Sequence, residues 1–123
     1  LGLKELKKRL EMIPQRDTID SIKPGEYVRV AGKVLKMQVK NLREVIESQG
    51  RVYDVPDPEY EKYVHMELAD ETGTVNVTIN RYKYADITLQ EELNSITEDS
   101  IVVVTGEYDK RYQKVYAVRV RVM

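Results

Sequence analysis

Residues 63–79 read Tyr63-Val64-His65-Met66-Glu67-Leu68-Ala69-Asp70-Glu71-Thr72-Gly73-Thr74-Val75-Asn76-Val77-Thr78-Ile79, two alternating runs joined by a polar tetrapeptide. In the first run Val64, Met66 and Leu68 share one parity against Tyr63, His65 and Glu67. In the second, Val75, Val77 and Ile79 oppose Thr74, Asn76, Thr78 and Asn80. A period of two means that each strand buries one face and leaves the other in water. Asp70-Glu71-Thr72-Gly73 supplies the turn, because an aspartate side chain bonds the backbone just ahead of it. The segment predicts a β-hairpin from Tyr63 to about Tyr82.

Upstream, Lys23-Pro24-Gly25 is a turn signal, and Glu26 to Lys40 reads as one long strand. Val28, Val30 and Val34 share a parity, whereas Leu35, Met37 and Val39 take the other. The inward face is therefore expected to change near Gly32, since a glycine inside a strand marks a bulge or bend. Such a hinge lets one strand serve two halves of a small barrel. Before it, Leu3, Leu6, Leu10 and Ile13 recur at helical spacing among Lys4, Glu5, Lys7, Lys8 and Arg9, and Pro14 stops the pattern. This Leu3–Ile13 helix reads either as a cover for one end of the domain or as a surface for a protein partner or self-association.

Downstream, residues 41–62 form a long connection with a helical turn suggested by Leu42, Val45 and Ile46, then Gly50 and the Pro56-Asp57-Pro58 breaker. Asp86 to Thr97 predicts a short helix through Ile87, Leu89, Leu93 and Ile96. Ile101 to Thr105 is continuously apolar, as a strand buried on both sides would be. Gly106 permits a bend, Asp109-Lys110-Arg111 makes a hairpin tip, and Tyr112 to Val122 is the last strand. Its uniform alternation puts Tyr116, Val118, Val120 and Val122 on an apolar face, and Val115, Ala117, Arg119 and Arg121 on a mostly basic one. The element order is that of an all-β protein with short helices, a five-stranded OB-fold β-barrel with a helix between strands 3 and 4 and an N-terminal helix. Residues 1–17 form the helical extension and residues 18–123 the barrel domain.

Composition narrows the chemistry. The 123 residues carry 20 basic and 21 acidic side chains, a net charge of −1, so a protein holding duplex DNA by bulk positive charge is not expected. Any nucleic-acid site must be local. There is no cysteine and one histidine, which removes thiolate nucleophiles, disulfides and multi-histidine metal sites. Asp70 and Glu71 are better explained by the turn than by a metal, and His65 by the surface than by catalysis. No cofactor and no enzymatic activity are expected. The absence of an apolar span or signal-peptide core points to a cytoplasmic protein with no membrane partner. The first residue is Leu1, so the chain also reads as a piece of a longer polypeptide.

Three stretches carry a family resemblance: Ile22-Lys23-Pro24-Gly25-Glu26-Tyr27-Val28-Arg29-Val30-Ala31-Gly32-Lys33-Val34, Leu68 to Ile79, and Val102-Val103-Val104-Thr105-Gly106. From about Thr18 to Val122 the chain resembles the OB-fold domains of replication protein A and its archaeal single-stranded-DNA-binding relatives. The resemblance implies binding of single-stranded DNA, or RNA, in replication, repair or recombination. Members often carry Trp or Phe just after the third strand and another aromatic in the last hairpin. Here Asn80 stands at the first place, and the chain has neither Trp nor Phe but nine tyrosines.

Unpaired bases expose flat π-faces, so a sequence-tolerant binder needs rings for stacking and cations along the phosphates. Tyr82, Tyr84, Tyr108 and Tyr112 are the candidate rings. Arg29, Lys33 and Lys36 on the first strand, Arg81 and Lys83 flanking Tyr82, and Lys110, Arg111 and Lys114 around Tyr112 are the candidate cations. Thr78 and Asn80, at the end of the third strand, complete the expected site. Two other readings compete: an OB domain for protein assembly, and a noncatalytic OB module of a larger replication or translation enzyme.

Overall fold

The alternation at 63–79 becomes two antiparallel strands, β2 (Lys62–Ala69) and β3 (Thr74–Ile79), which pair from Val64 opposite Ile79 to Ala69 opposite Thr74. A computed structural model describes residues 2–52, 58–97 and 99–123. The other strands are β1 (Tyr27–Asn41), β4 (Ile101–Tyr108) and β5 (Lys114–Val122). They close into a barrel in the order β1-β2-β3-β5-β4, with β4 returning to β1. Every pairing is antiparallel except β3 with β5. This is the OB barrel that the element order predicts.

Inward residues of all five strands, among them Val30, Val64, Met66, Leu68, Val77, Val104 and Val115, are fully buried. Leu93 of helix α4 (Ile87–Asn94) and Ile19 join that core. A second cluster lies outside the barrel wall. There Leu6 and Leu10 of helix α1 (Leu3–Leu10), with Ile13, pack on Ala31, Ile101 and Val103. The uninterrupted apolar run at the start of β4 now has its cause: Val102 and Val104 face the interior while Ile101 and Val103 face α1. The apolar face of the N-terminal helix, expected either to cover the domain or to dock a partner, is buried on its own barrel. Leu3 and Met12 remain exposed.

Two expectations about strand phase are corrected. The irregularity in β1 falls between Val34 and Lys36, with Leu35 as the extra residue, rather than at Gly32, which pairs regularly with Val102. Gly32 is required for a different reason. At the next residue, Lys33, β1 pairs with both Ala69 of β2 and Ile101 of β4, and a Cβ on Gly32 would overlap the Ala69 carbonyl. In β5 the alternation is not uniform. Val115 and Ala117 are buried, and Val120 and Val122 take over the inward packing beyond a register shift opposite Thr105 and Gly106. Val118, expected on the apolar face, is exposed.

The connection after β1 contains helix α2 (Leu42–Ser48), capped by the Asn41 side chain, which accepts from the Glu44 N–H at 3.3 Å. Pro58 opens a short 3₁₀ turn through Tyr60, while Pro56 and Asp57 of the expected breaker lie outside the described residues. Buried Glu61 accepts from Arg43 at 2.8 and 3.1 Å and from Asn41 at 3.4 Å, tying both ends of the connection together. Hydrogen bonding from Arg43 holds the Glu61 carboxyl below its usual range. Between β3 and β4 the expected single helix is two, α3 (Arg81–Tyr84) and α4. Asp86 follows the first, donating its N–H to the Lys83 carbonyl, and caps the second, its side chain accepting from the Thr88 and Leu89 N–H groups. No helix among the described residues is long and apolar enough to cross a membrane.

The Asp70 carboxylate does what the turn chemistry predicts and more. It accepts from the Thr72 and Gly73 backbone N–H groups at 2.7 and 3.0 Å and from the Thr72 hydroxyl at 2.6 Å. Its other oxygen accepts from the Ile19 N–H at 2.8 Å and meets Arg16 at 3.5 Å, while Arg16 grips Glu71 with both terminal nitrogens. The segment before β1 is thereby fastened to the β2–β3 turn.

Gly32→Ala is expected to lower stability to urea by at least about 2 kcal/mol, because the added methyl meets backbone that cannot move aside. Gly73→Ala, whose methyl would meet only Ile19 at an ordinary 3.8 Å, is expected to cost under about 1 kcal/mol.

Candidate nucleic-acid interface

Residues directly opposite one another in paired strands point to the same side of the sheet. One outward row accordingly runs Gln38, His65, Thr78 and Tyr116 across β1, β2, β3 and β5. The neighbouring row is Lys36, Glu67, Asn76 and Lys114, and on the other side Lys40 stands opposite Tyr63. With strands about 4.8 Å apart, three inter-strand steps make a face about 14 Å wide. Among the described residues of these rows, three ammonium groups and several groups able to hydrogen-bond or stack share the face with one carboxylate, Glu67, and Glu107 of β4 borders it opposite Tyr116.

His65 reports the field of this face. Burial disfavours its charged form first, then the positive charges of Lys114, Lys40 and Lys36, so its pKa lies below the ordinary 6.5 even with Glu67 acting in the other direction. Lys114 comes from β5 and the other two lysines from β1, so only the closed barrel brings them around one imidazole.

Each end of the face carries an exposed ring held by a cation. At the α3 end, Leu42, Tyr63, Thr78, Asn80 and Arg81 line a shallow depression. The Thr78 hydroxyl is buried there without a hydrogen-bond partner. Tyr82, 60% exposed, lies 5.3 Å from the Tyr60 ring at a 47° tilt. The Arg81 guanidinium sits 4.7 Å from the Tyr82 ring centre and donates to its hydroxyl at 2.8 Å. At the β4–β5 hairpin, the Asp109 carboxylate accepts from the Arg111 and Tyr112 N–H groups at 2.8 and 2.6 Å. That turn presents Tyr112, 57% exposed, with the Arg111 guanidinium 5.3 Å from its ring centre.

The residues expected from the sequence thus separate into groups. Lys36, Thr78 and Lys114 lie on the face, and Asn80, Arg81 and Tyr82 stand at one end, where the Asn80 side chain also caps α3 by accepting from Lys83 N–H at 2.9 Å. Lys110, Arg111 and Tyr112 occupy the hairpin. Lys33 sits at the border, opposite Ala69 and beside the β2–β3 turn. Tyr84 and Tyr108 pack against the barrel core instead of presenting their rings. Arg29 is on the far wall, beside Thr105, in a depression it shares with Ile13 and Arg121. Conversely, the face contains Gln38, Lys40, Tyr63, His65 and Tyr116, none of which was selected from the sequence. Strand parity had already put Tyr63 and His65 outward. In sequence, however, they stand apart from the third-strand end and the last hairpin, where the rings and cations cluster.

NMR titration is expected to place the His65 midpoint below 6.5. Lys114→Gln should move it up and Glu67→Gln should move it down. Because the unfolded chain takes up this proton at a higher pH than the folded one, the His65 contribution to stability is full above pH 6.5 and is lost as pH falls through the lower native value.

No protein-family model matches the chain, and no curated protein matches it. Solved structures do. A domain of replication protein A from Methanococcus maripaludis superposes with a TM-score of 0.59 at 13% identity, over 88% of this chain and 94% of that one. Asparaginyl-tRNA synthetase from Pyrococcus horikoshii gives a TM-score of 0.59 at 18% identity over 90% of this chain, which spans 23% of the synthetase. A hypothetical protein from E. coli gives 0.52 at 15% identity, covering 88% of this chain and 89% of that one. At these identities the likeness is one of fold, and together with the strand order it establishes that the chain is an OB barrel.

Proposed function

We propose that this protein binds single-stranded nucleic acid, with single-stranded DNA as the preferred form, across the outer face of β1, β2, β3 and β5, and performs no chemistry on it. Replication, repair or recombination is the proposed setting, supported by the likeness to the replication protein A domain. The observation that carries the reading is the set of three lysines converging on His65, with arginine-backed tyrosines at both ends of the same face.

Unpaired bases supply the π-faces that Tyr82 and Tyr112 would stack on, and a ring already beneath a guanidinium keeps its planar orientation at small entropic cost. Lys36, Lys40 and Lys114 would follow the phosphates between them. Outward Gln38 and Asn76 offer hydrogen bonds that do not depend on charge. A net charge of −1 does not oppose this, because Lys36, Lys40 and Lys114 lie on the face while carboxylates such as Glu61 and Glu71 are paired with arginines.

Fluorescence anisotropy with labelled oligo-dT, the matching RNA and a duplex tests the proposal, with oligo-dT expected to bind tightest. Replacing Tyr82 and Tyr112 together with Ala should weaken that binding at least tenfold, since each stacked base is worth about 1–3 kcal/mol. About four phosphate contacts give a slope of log K against log salt near −3. A flat salt response with unchanged affinity in the double variant would refute the assignment.

A further inference from the structure

We propose that the bound strand continues past β5 onto the opposite wall of the barrel, where Arg29, Arg119 and Arg121 form a second phosphate-binding surface. The proposal rests on the single-strand reading of the first face. Arg29 stands opposite Thr105 of β4, and Thr105 stands opposite Arg119 of β5, so the two arginines flank it in one outward row. Arg121, opposite Val103, belongs to the next row on the same side. Among the described residues, none of these three guanidinium groups forms an ion pair, whereas Arg16 and Arg43 each hold a carboxylate. The Arg29 Nε is buried with no hydrogen-bond partner. The nearby Asp17 carboxylate is used by the backbone N–H of Arg29, at 2.9 Å, and not by its side chain.

Two features connect this surface to the first. Tyr116 stands opposite Thr78 of β3 and also opposite Glu107 of β4, so its ring lies where one wall turns into the other. The irregularity in β5 then sets the aim of the arginines. Tyr116 points outward, and strict alternation from it would turn Arg119 and Arg121 into the core. The register shift opposite Thr105 and Gly106 reverses the phase, so both emerge on the surface. A bulge that re-aims side chains in this way exposes two strong cations on the strand that already carries Lys114 and Tyr116. Lys114 to Arg121 spans about 23 Å along β5. Tyr27, 62% exposed, adds a ring beyond Glu107, which borders the track on that side. The planar guanidinium fork suits phosphate oxygens and base faces alike, which favours a nucleic-acid strand as the occupant.

The test compares dT oligomers of about 6 and about 16 nucleotides, spanning the range one OB barrel covers. In the Arg119→Ala/Arg121→Ala protein, affinity for the short oligomer is expected to stay within about twofold of wild type. Affinity for the long one should fall about tenfold, and its salt slope should shrink by about 1.4, the value for two phosphates. Arg119→Lys/Arg121→Lys, which keeps the charge, should recover most of the loss, and an unchanged urea midpoint confirms that both variants fold. Equal affinities of wild type and the Ala variant at both lengths, or equal losses at both, overturn the second surface and leave the first standing. Wild-type protein that binds neither oligomer defeats both. An effect confined to an Asp/Glu-rich peptide would assign the arginines to a protein partner and overturn the proposal as well.

Discussion

The whole arrangement depends on one constraint: β1 must pair with β4 along its first half and with β2 along its second. Lys33 makes the exchange, with partners on both sides. A five-stranded sheet left open would expose two rows of unpaired N–H and C=O groups, and closure removes them. The close crossing of the two neighbours excludes a side chain at Gly32. The altered strand direction is then absorbed one turn of pleat later, at Leu35, where an extra residue restores the inward phase for Met37. An equivalent compression on the other side of the barrel leaves no room for a Cβ at Gly106, against the Tyr116 carbonyl. Both glycines occupy positions of close backbone approach.

The segment before the barrel is integrated by two different kinds of force. Leu6, Leu10 and Ile13 remove apolar surface from water on the outer side of β1 and β4. Arg16, Ile19 and Asp70 add directional bonds at the β2–β3 turn. The first is tolerant of geometry and the second is not, so the turn fixes where the helix lies. A consequence reaches the far wall: α1 covers its apolar half, leaving a polar half on which Arg119 and Arg121 are exposed and Arg29 is half-buried.

Charge placement explains how a nearly neutral chain can present a face suited to an anion. Carboxylates are drawn into structural duties, Asp70 and Asp109 in turns, Asp86 at a helix start, Glu61 and Glu71 opposite arginines. Lysines from β1 and β5 are left to converge on His65. The field arises from distribution, and total charge says little about it.

Much of the fold was legible because it is local. Period-two alternation, the Asp70–Gly73 turn, the glycine and proline punctuation and the order of elements follow from neighbouring residues, and they specify the barrel and its helices. Strand phase beyond a bulge is not local. Leu35 of β1 and Val118 of β5 are turned outward by pairing with partners distant in sequence, so alternation misplaced Leu35 and misjudged both faces of β5. The candidate site was legible in part: Tyr82, on the four-residue helix α3, and Tyr112, on the hairpin turn, are both exposed. Tyr84 and Tyr108 look identical to them in sequence but pack against the core, because inward or outward is decided by closure. Tyr63, His65, Lys40 and Tyr116 become one surface only through the β1–β2 register and the parallel contact of β3 with β5. By itself, then, the sequence determined which segments become strands and where they turn. The tertiary structure alone decided which rings and cations meet, because hydrogen-bond register across non-adjacent strands sets the facing of every side chain at once.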